Sequence, residues 1–110
     1  MNESYTAVVA RNDDWTGEWA TEPYETAWAT EAIFFVRVLK SEGEARTVSA
    51  RVQISPDGMH WVDEGSRLEI AAREGVSAVK ASHFGGWLRL AGRTPEGSNL
   101  RVMAYLALKG

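Results

Sequence analysis

From residue 47 to residue 54, apolar Val48, Ala50, Val52 and Ile54 alternate with polar Thr47, Ser49, Arg51 and Gln53. A period of two over that length predicts a strand with one buried face and one wet face. Leu100, Val102, Ala104, Leu106 and Leu108 repeat the pattern against Arg101, Met103 and Tyr105. Ala32 to Leu39, "AIFFVRVL", is apolar on both faces and rich in β-branched and aromatic side chains, which predicts a central strand covered on both sides. Tyr5–Ala10 and Trp87–Gly92 read as further strands. Ser66–Gly75 fits neither period well and is read as a strand.

Turn chemistry separates these runs. Lys40–Ala45, Ser55–Gly58, Arg73–Gly75, Phe84–Trp87 and Arg93–Asn99 supply Gly, Pro, Asp and Asn where the chain must reverse. The spacing of about ten residues is the rhythm of a sandwich or small barrel. Residues 12–31 are the least regular part, yet they hold Trp15, Trp19 and Trp28. The expected fold is all-β: one antiparallel β-sandwich domain over residues 1–110, jelly-roll-like, with about seven or eight strands. Residues 1–31 would form an N-terminal arm or an edge.

The stretch "SPDGMHW", Ser55 to Trp61, is a turn with two alternative registers. With a three-residue loop, Pro56 to Gly58, Trp61 lies opposite Gln53 on the wet side and Arg51 faces Asp63. With a four-residue loop, Pro56 to Met59, Trp61 lies opposite Ile54 and is buried; a slip of one residue exchanges the faces. "VQISPDGMHWVDEG" resembles the S-x-D-G-x-x-W hairpin of discoidin-like and related jelly-roll β-sandwich modules. Those include some carbohydrate-binding modules and phage and bacterial surface modules. "FGGWLRLAG" resembles a later strand of such modules. The resemblance implies that Trp61 packs inward, at a corner of the core.

Composition narrows the function classes. The chain has 110 residues, 45% of them apolar, enough for one ordinary core. A net charge of −3, with Lys and Arg interleaved among Glu, gives no basic surface for nucleic acid. No run of about 18 apolar residues exists to span a membrane. The N-terminal stretch lacks the basic-then-apolar order of a signal peptide, so synthesis in the cytoplasm is expected, with a virion or particle as the place of action.

Catalysis is not expected. With no cysteine, thiol chemistry and zinc ribbons are out. His60 and His83 lack further ligands at metal spacing, and Asp13, Asp14 and Glu18 do not form a calcium loop. No nucleophile elbow or phosphate loop is present. The sequence therefore implies no catalytic residue, metal or cofactor.

What remains is surface. Arg37, Arg51, Arg89 and Arg101 alternate with apolar residues on the predicted strands, accompanied by Trp87, Met103 and Tyr105. If those outward faces share one sheet, they form the mixture enriched at protein interfaces. Trp15, Trp19, Tyr24 and Trp28 lie in an acidic segment too polar to be a core strand alone, and are expected to be buried against a partner. The expectation is a structural or assembly module that binds its own subunits or a larger assembly, of phage or capsid accessory type. The second candidate is a carbohydrate-binding module, with a glycan stacked on Trp15, Trp19, Tyr24 or Trp28.

Overall fold

In the computed structural model, which describes residues 4–110, the alternating runs become strands whose apolar rows face each other across a sandwich. In chain order they are β1 (Ser4–Trp15), β2 (Gly17–Ala20), β3 (Tyr24–Glu25), β4 (Glu31–Glu42), β5 (Thr47–Ser55), β6 (Val62–Ala71), β7 (Gly75–Ser82), β8 (Trp87–Thr94) and β9 (Asn99–Lys109). One sheet has the order β1-β9-β4-β7 and the other β2-β8-β5-β6, with β3 pairing the same strand, β8, as β2. Every pairing is antiparallel. Because β2 and β3 follow one another along β8, they act as one interrupted edge. Counted that way, the order is the jelly roll, two Greek keys wound together. Two of the nine strands, β2 and β3, come from residues 12–31, which the sequence shows as irregular.

The core is the set of inward rows. Phe34, Val36 and Val38 of β4 meet Val48, Ala50 and Val52 of β5, joined by Ile70, Leu88 and Leu90 and by the Leu100–Leu108 row of β9, all buried. Each large side chain buried this way contributes about 1.5–3 kcal/mol. The alternation reads directly as burial in β9 and in β5 as far as Val52, beyond which Gln53 is buried and Ile54 only half-buried.

β4 departs from expectation. Its inner row is buried, but Ile33, Phe35 and Leu39 are half-buried and Arg37 is exposed. Among the described residues no second layer covers that outer face. A continuous apolar run predicts cover on both sides, whereas here the outer half of the run forms surface.

The N-terminal aromatics are corrected too. Trp15 lies opposite Leu100, is only 2% exposed, and stacks on Trp19 with ring centroids 3.6 Å apart and planes 8° from parallel. Trp15 belongs to the first sheet and Trp19 to the second, so the stack ties the layers together. Trp19 Nε1 donates to Thr94 Oγ1 at 3.1 Å. Trp15 is thus covered by its own sandwich rather than by a partner, whereas Trp19 is half-buried and borders a trough on the second sheet. Polarity around them misled the sequence reading: the carboxylates of that segment point outward while the indoles turn in.

Candidate functional site

The two outward faces carry different chemistry. In the second sheet, alternation sends Ser49, Arg51 and Gln53 of β5 outward beside Trp87, Arg89, Ala91 and Arg93 of β8. Register sets Gln53 opposite Arg89, Arg51 opposite Ala91 and Ser49 opposite Arg93. Glu18 and Ala20 of β2 extend the face, opposite Arg93 and Ala91.

β6 supplies the last member. Its pairing with β5 steps from Arg51–Arg67 to Gln53–Asp63, so β6 carries extra residues at a bulge. Gly65 sits there at φ 119°, and Ser66 N–H donates to Glu64 Oε1 at 2.9 Å. The bulge swings Asp63 into reach of two partners. Its Oδ1 accepts from Gln53 Nε2 and from Arg51 Nε, both at 3.1 Å. Gln53 Oε1 in turn accepts from Arg89 Nε at 2.8 Å. The Arg89 guanidinium lies 4.3 Å over the Trp61 ring, a cation–π contact.

The electrostatics follow from this chain of contacts. The Gln53 hydrogen bond, with the charges of Arg51 and Arg67, holds Asp63 below the ordinary carboxylate range. Partial burial, and then the Arg51 charge, pull Arg89 below the usual guanidinium value. Arg89 nevertheless stays charged. Beside this network a trough of about 430 Å³ runs over Ala20, Ala91 and Gly92, walled by Glu18, Arg51, Arg89 and Arg93.

One end of the face is closed by the Ser55–Trp61 loop, and neither expected register is realised. The β5–β6 ladder ends at Ile54–Val62, so Pro56–Trp61 all lie in the connection. The loop is held by its own side chains instead. Ser55 Oγ accepts from the N–H groups of Asp57 and Gly58 at 3.2 and 2.8 Å. Asp57 Oδ1 accepts from the N–H groups of Met59 and His60, each at 2.9 Å, and His60 Nδ1 lies 2.7 Å from Oδ2. Those bonds hold the Asp57 carboxyl well below its ordinary value. Gly58, at φ 80°, leaves room for the Trp87 ring, which an added Cβ would approach to 3.2 Å. Trp61 is half-buried beside Arg89 rather than set in the core. The inward Trp61 implied by resemblance is thus corrected, while the Arg51–Asp63 ion pair forms, at 3.1 Å.

The outer face of the first sheet is apolar. Val8, Tyr105, Phe35 and Ala78 form one row across four strands. Ala107 and Ile33 lie on one side of that row, Met103 and Val76 on the other. Arg37 and Lys80 punctuate this band. Val76 is 66% exposed and Val8 39%.

The structure therefore divides the arginine set. Arg51, Arg89 and Trp87 lie on the second sheet, whereas Arg37, Arg101 and Tyr105 lie on the first, so they do not make one face. Arg101 Nη2 is 2.9 Å from Asp14 Oδ2. Tyr24 is half-buried and stacks on Tyr5 at the sandwich edge, centroids 6.2 Å apart. Trp28 is 43% exposed and packs beside Gly110. Sequence pattern alone does not single out Gln53, Asp63 and Trp61 as site residues. Alternation placed Gln53 beside Arg51, but the partner across β5, strand β8, is 36 residues away from it in sequence. Among the described residues no cluster of three or more His, Cys, Asp or Glu could hold a metal ion.

Residues 26–106 match the family described as Domain of unknown function (DUF6385). The chain belongs to this family. The DUF6385 match takes in β4 to β8 and most of β9, and leaves out β1 to β3, hence Val8 of the first face, Glu18 and Ala20 of the second, and the Trp15–Trp19 stack. No curated protein matches the chain. Among solved structures it is similar to the PBSX exported protein XepA, with TM-score 0.69 and 7% identity over 94% of this chain. It spans only 36% of XepA's length. The SPBc2 prophage-derived protein YomS gives TM-score 0.63 at 7% identity, covering 100% of this chain and 96% of YomS. The CBM36-1 domain of a multidomain xylanase from the hindgut metagenome of Trinervitermes trinervoides gives 0.52 at 12%, covering 96% and 86%. At such identities the likeness is one of fold alone.

Proposed function

We propose that this chain is a non-catalytic assembly module that pairs with a second copy of itself through the outer face of its first sheet. One observation carries the reading: a sheet face with no covering layer bears a continuous apolar band, where an antiparallel sheet open to water would alternate apolar-in with polar-out. The fold is similar to that of the prophage-derived protein YomS.

Charge placement argues for a second copy as the occupant. Glu31 and Arg37 lie on this face at either end of the outward row Glu31, Ile33, Phe35 and Arg37. Neither has an ion-pair partner among the described residues. A twofold axis crossing β4 between Ile33 and Phe35 sets Ile33 on the other copy's Phe35, and Glu31 on the other copy's Arg37. An isologous contact of this kind closes at a dimer.

Charge reversal tests the register. Arg37→Glu should weaken association at least tenfold by placing like charges opposite each other, and adding Glu31→Arg should restore it. Sedimentation velocity across a concentration series reads both. If the double variant associates no better than the single one, the proposed pairing is wrong.

A further inference from the structure

We propose that the trough on the outer face of the second sheet is a separate binding site for an acidic saccharide, with a uronic acid carboxylate held by Arg89 and Arg93. The site is independent of the first-sheet face and of its self-association.

The donors are in place and uncommitted. Arg89 spends only Nε on Gln53, and Arg51 only Nε on Asp63. Arg93 has no ion pair among the described residues, although Glu18 stands beside it in register. Arg51, Arg89 and Arg93 line the trough with their terminal guanidinium nitrogens free of hydrogen bonds among the described residues, and a planar fork of donors matches a carboxylate. The surplus of arginine is local: the chain as a whole carries −3. Asp63 offsets the charge of Arg51 and Glu18 that of one further arginine, so the three arginines leave a net surplus of one positive charge along the trough. The Asp63–Gln53–Arg89 chain also fixes one wall before any ligand arrives, which lowers the ordering cost of binding.

The backbone selects a saccharide over a peptide. β8 is paired on both sides, by β2 and β3 and by β5, and β5 is paired on both sides by β6 and β8. An extended peptide finds no open ladder here, so recognition must come from side chains. Glu18 offers acceptors to sugar hydroxyls, and the small side chains of Ala20 and Ala91 on the floor leave room for a ring. A volume of about 430 Å³ is on the scale of a small-ligand site.

Isothermal titration calorimetry of the full chain with trigalacturonic acid, a neutral galactose trisaccharide and a triglutamate peptide tests this. The acidic sugar should bind more weakly as salt rises. Arg93→Ala, an exposed change that leaves the fold intact, should reduce affinity about tenfold, the loss of one charge-assisted contact. Arg89→Gln should do the same. Three results would overturn the proposal: no binding of trigalacturonic acid at about 10 mM, equal binding of the neutral sugar, or equal binding of the peptide.

Discussion

Asp57 shows how one side chain can order a whole loop. It accepts from two backbone N–H groups and from Ser55 Oγ and pairs with His60, while its neighbour Pro56 fixes the turn. These bonds favour the ionised carboxylate, so the folded-state pKa lies below the unfolded one. For a lowered carboxyl, the stabilisation is fully present above the ordinary carboxylate value and is lost as pH falls through the folded-state value. Wild type should therefore have a higher urea midpoint than Asp57→Asn at neutral pH. The gap should close as pH drops below about 4, the ordinary carboxylate value. A gap that does not change with pH would mean that ionisation of Asp57 is not what stabilises the loop. Gly92 makes the same point in the core: an added Cβ would come within 2.5 Å of the Trp19 ring. Neither requirement is visible in the residue type alone.

Strands and their joints decide what periodicity cannot. Alternation in β5 and β9 was legible because one face of each is buried and the other is not, and turn residues marked most of the reversals. Trp61 was not legible. Its orientation depends on a connection of Pro56–Trp61 and on the β6 bulge at Gly65, and a loop held by Ser55 and Asp57 need not follow hairpin rules. Trp15 and Trp19 were hidden for another reason: their burial comes from a stack between two sheets. The two tryptophans, Trp15 and Trp61, should differ in the stability they contribute. Trp15→Ala should destabilise by about 3–5 kcal/mol, the range for a buried large aromatic. Trp61→Ala should cost about 1 kcal/mol, the scale of its cation–π contact with Arg89. Chemical denaturation of both variants decides it, and equal losses would place Trp61 in the core after all.

At the scale of the molecule, the jelly roll turns one list of surface residues into two surfaces. The sequence identified Arg37, Arg51, Arg89 and Arg101 as outward, but only the strand order assigns them to opposite sides. One side is apolar and carries the proposed self-association; the other is a polar trough bordered by arginines. The most direct test of the central claim is native mass by light scattering, for wild type and Phe35→Lys, from micromolar to near-millimolar concentration. The exciton-coupled circular dichroism of stacked Trp15 and Trp19 verifies that the variant still folds. The account predicts a wild-type dimer that Phe35→Lys reduces to a monomer with the tryptophan signal unchanged. A wild type that stays monomeric throughout, or a folded Phe35→Lys that remains a dimer, would contradict it.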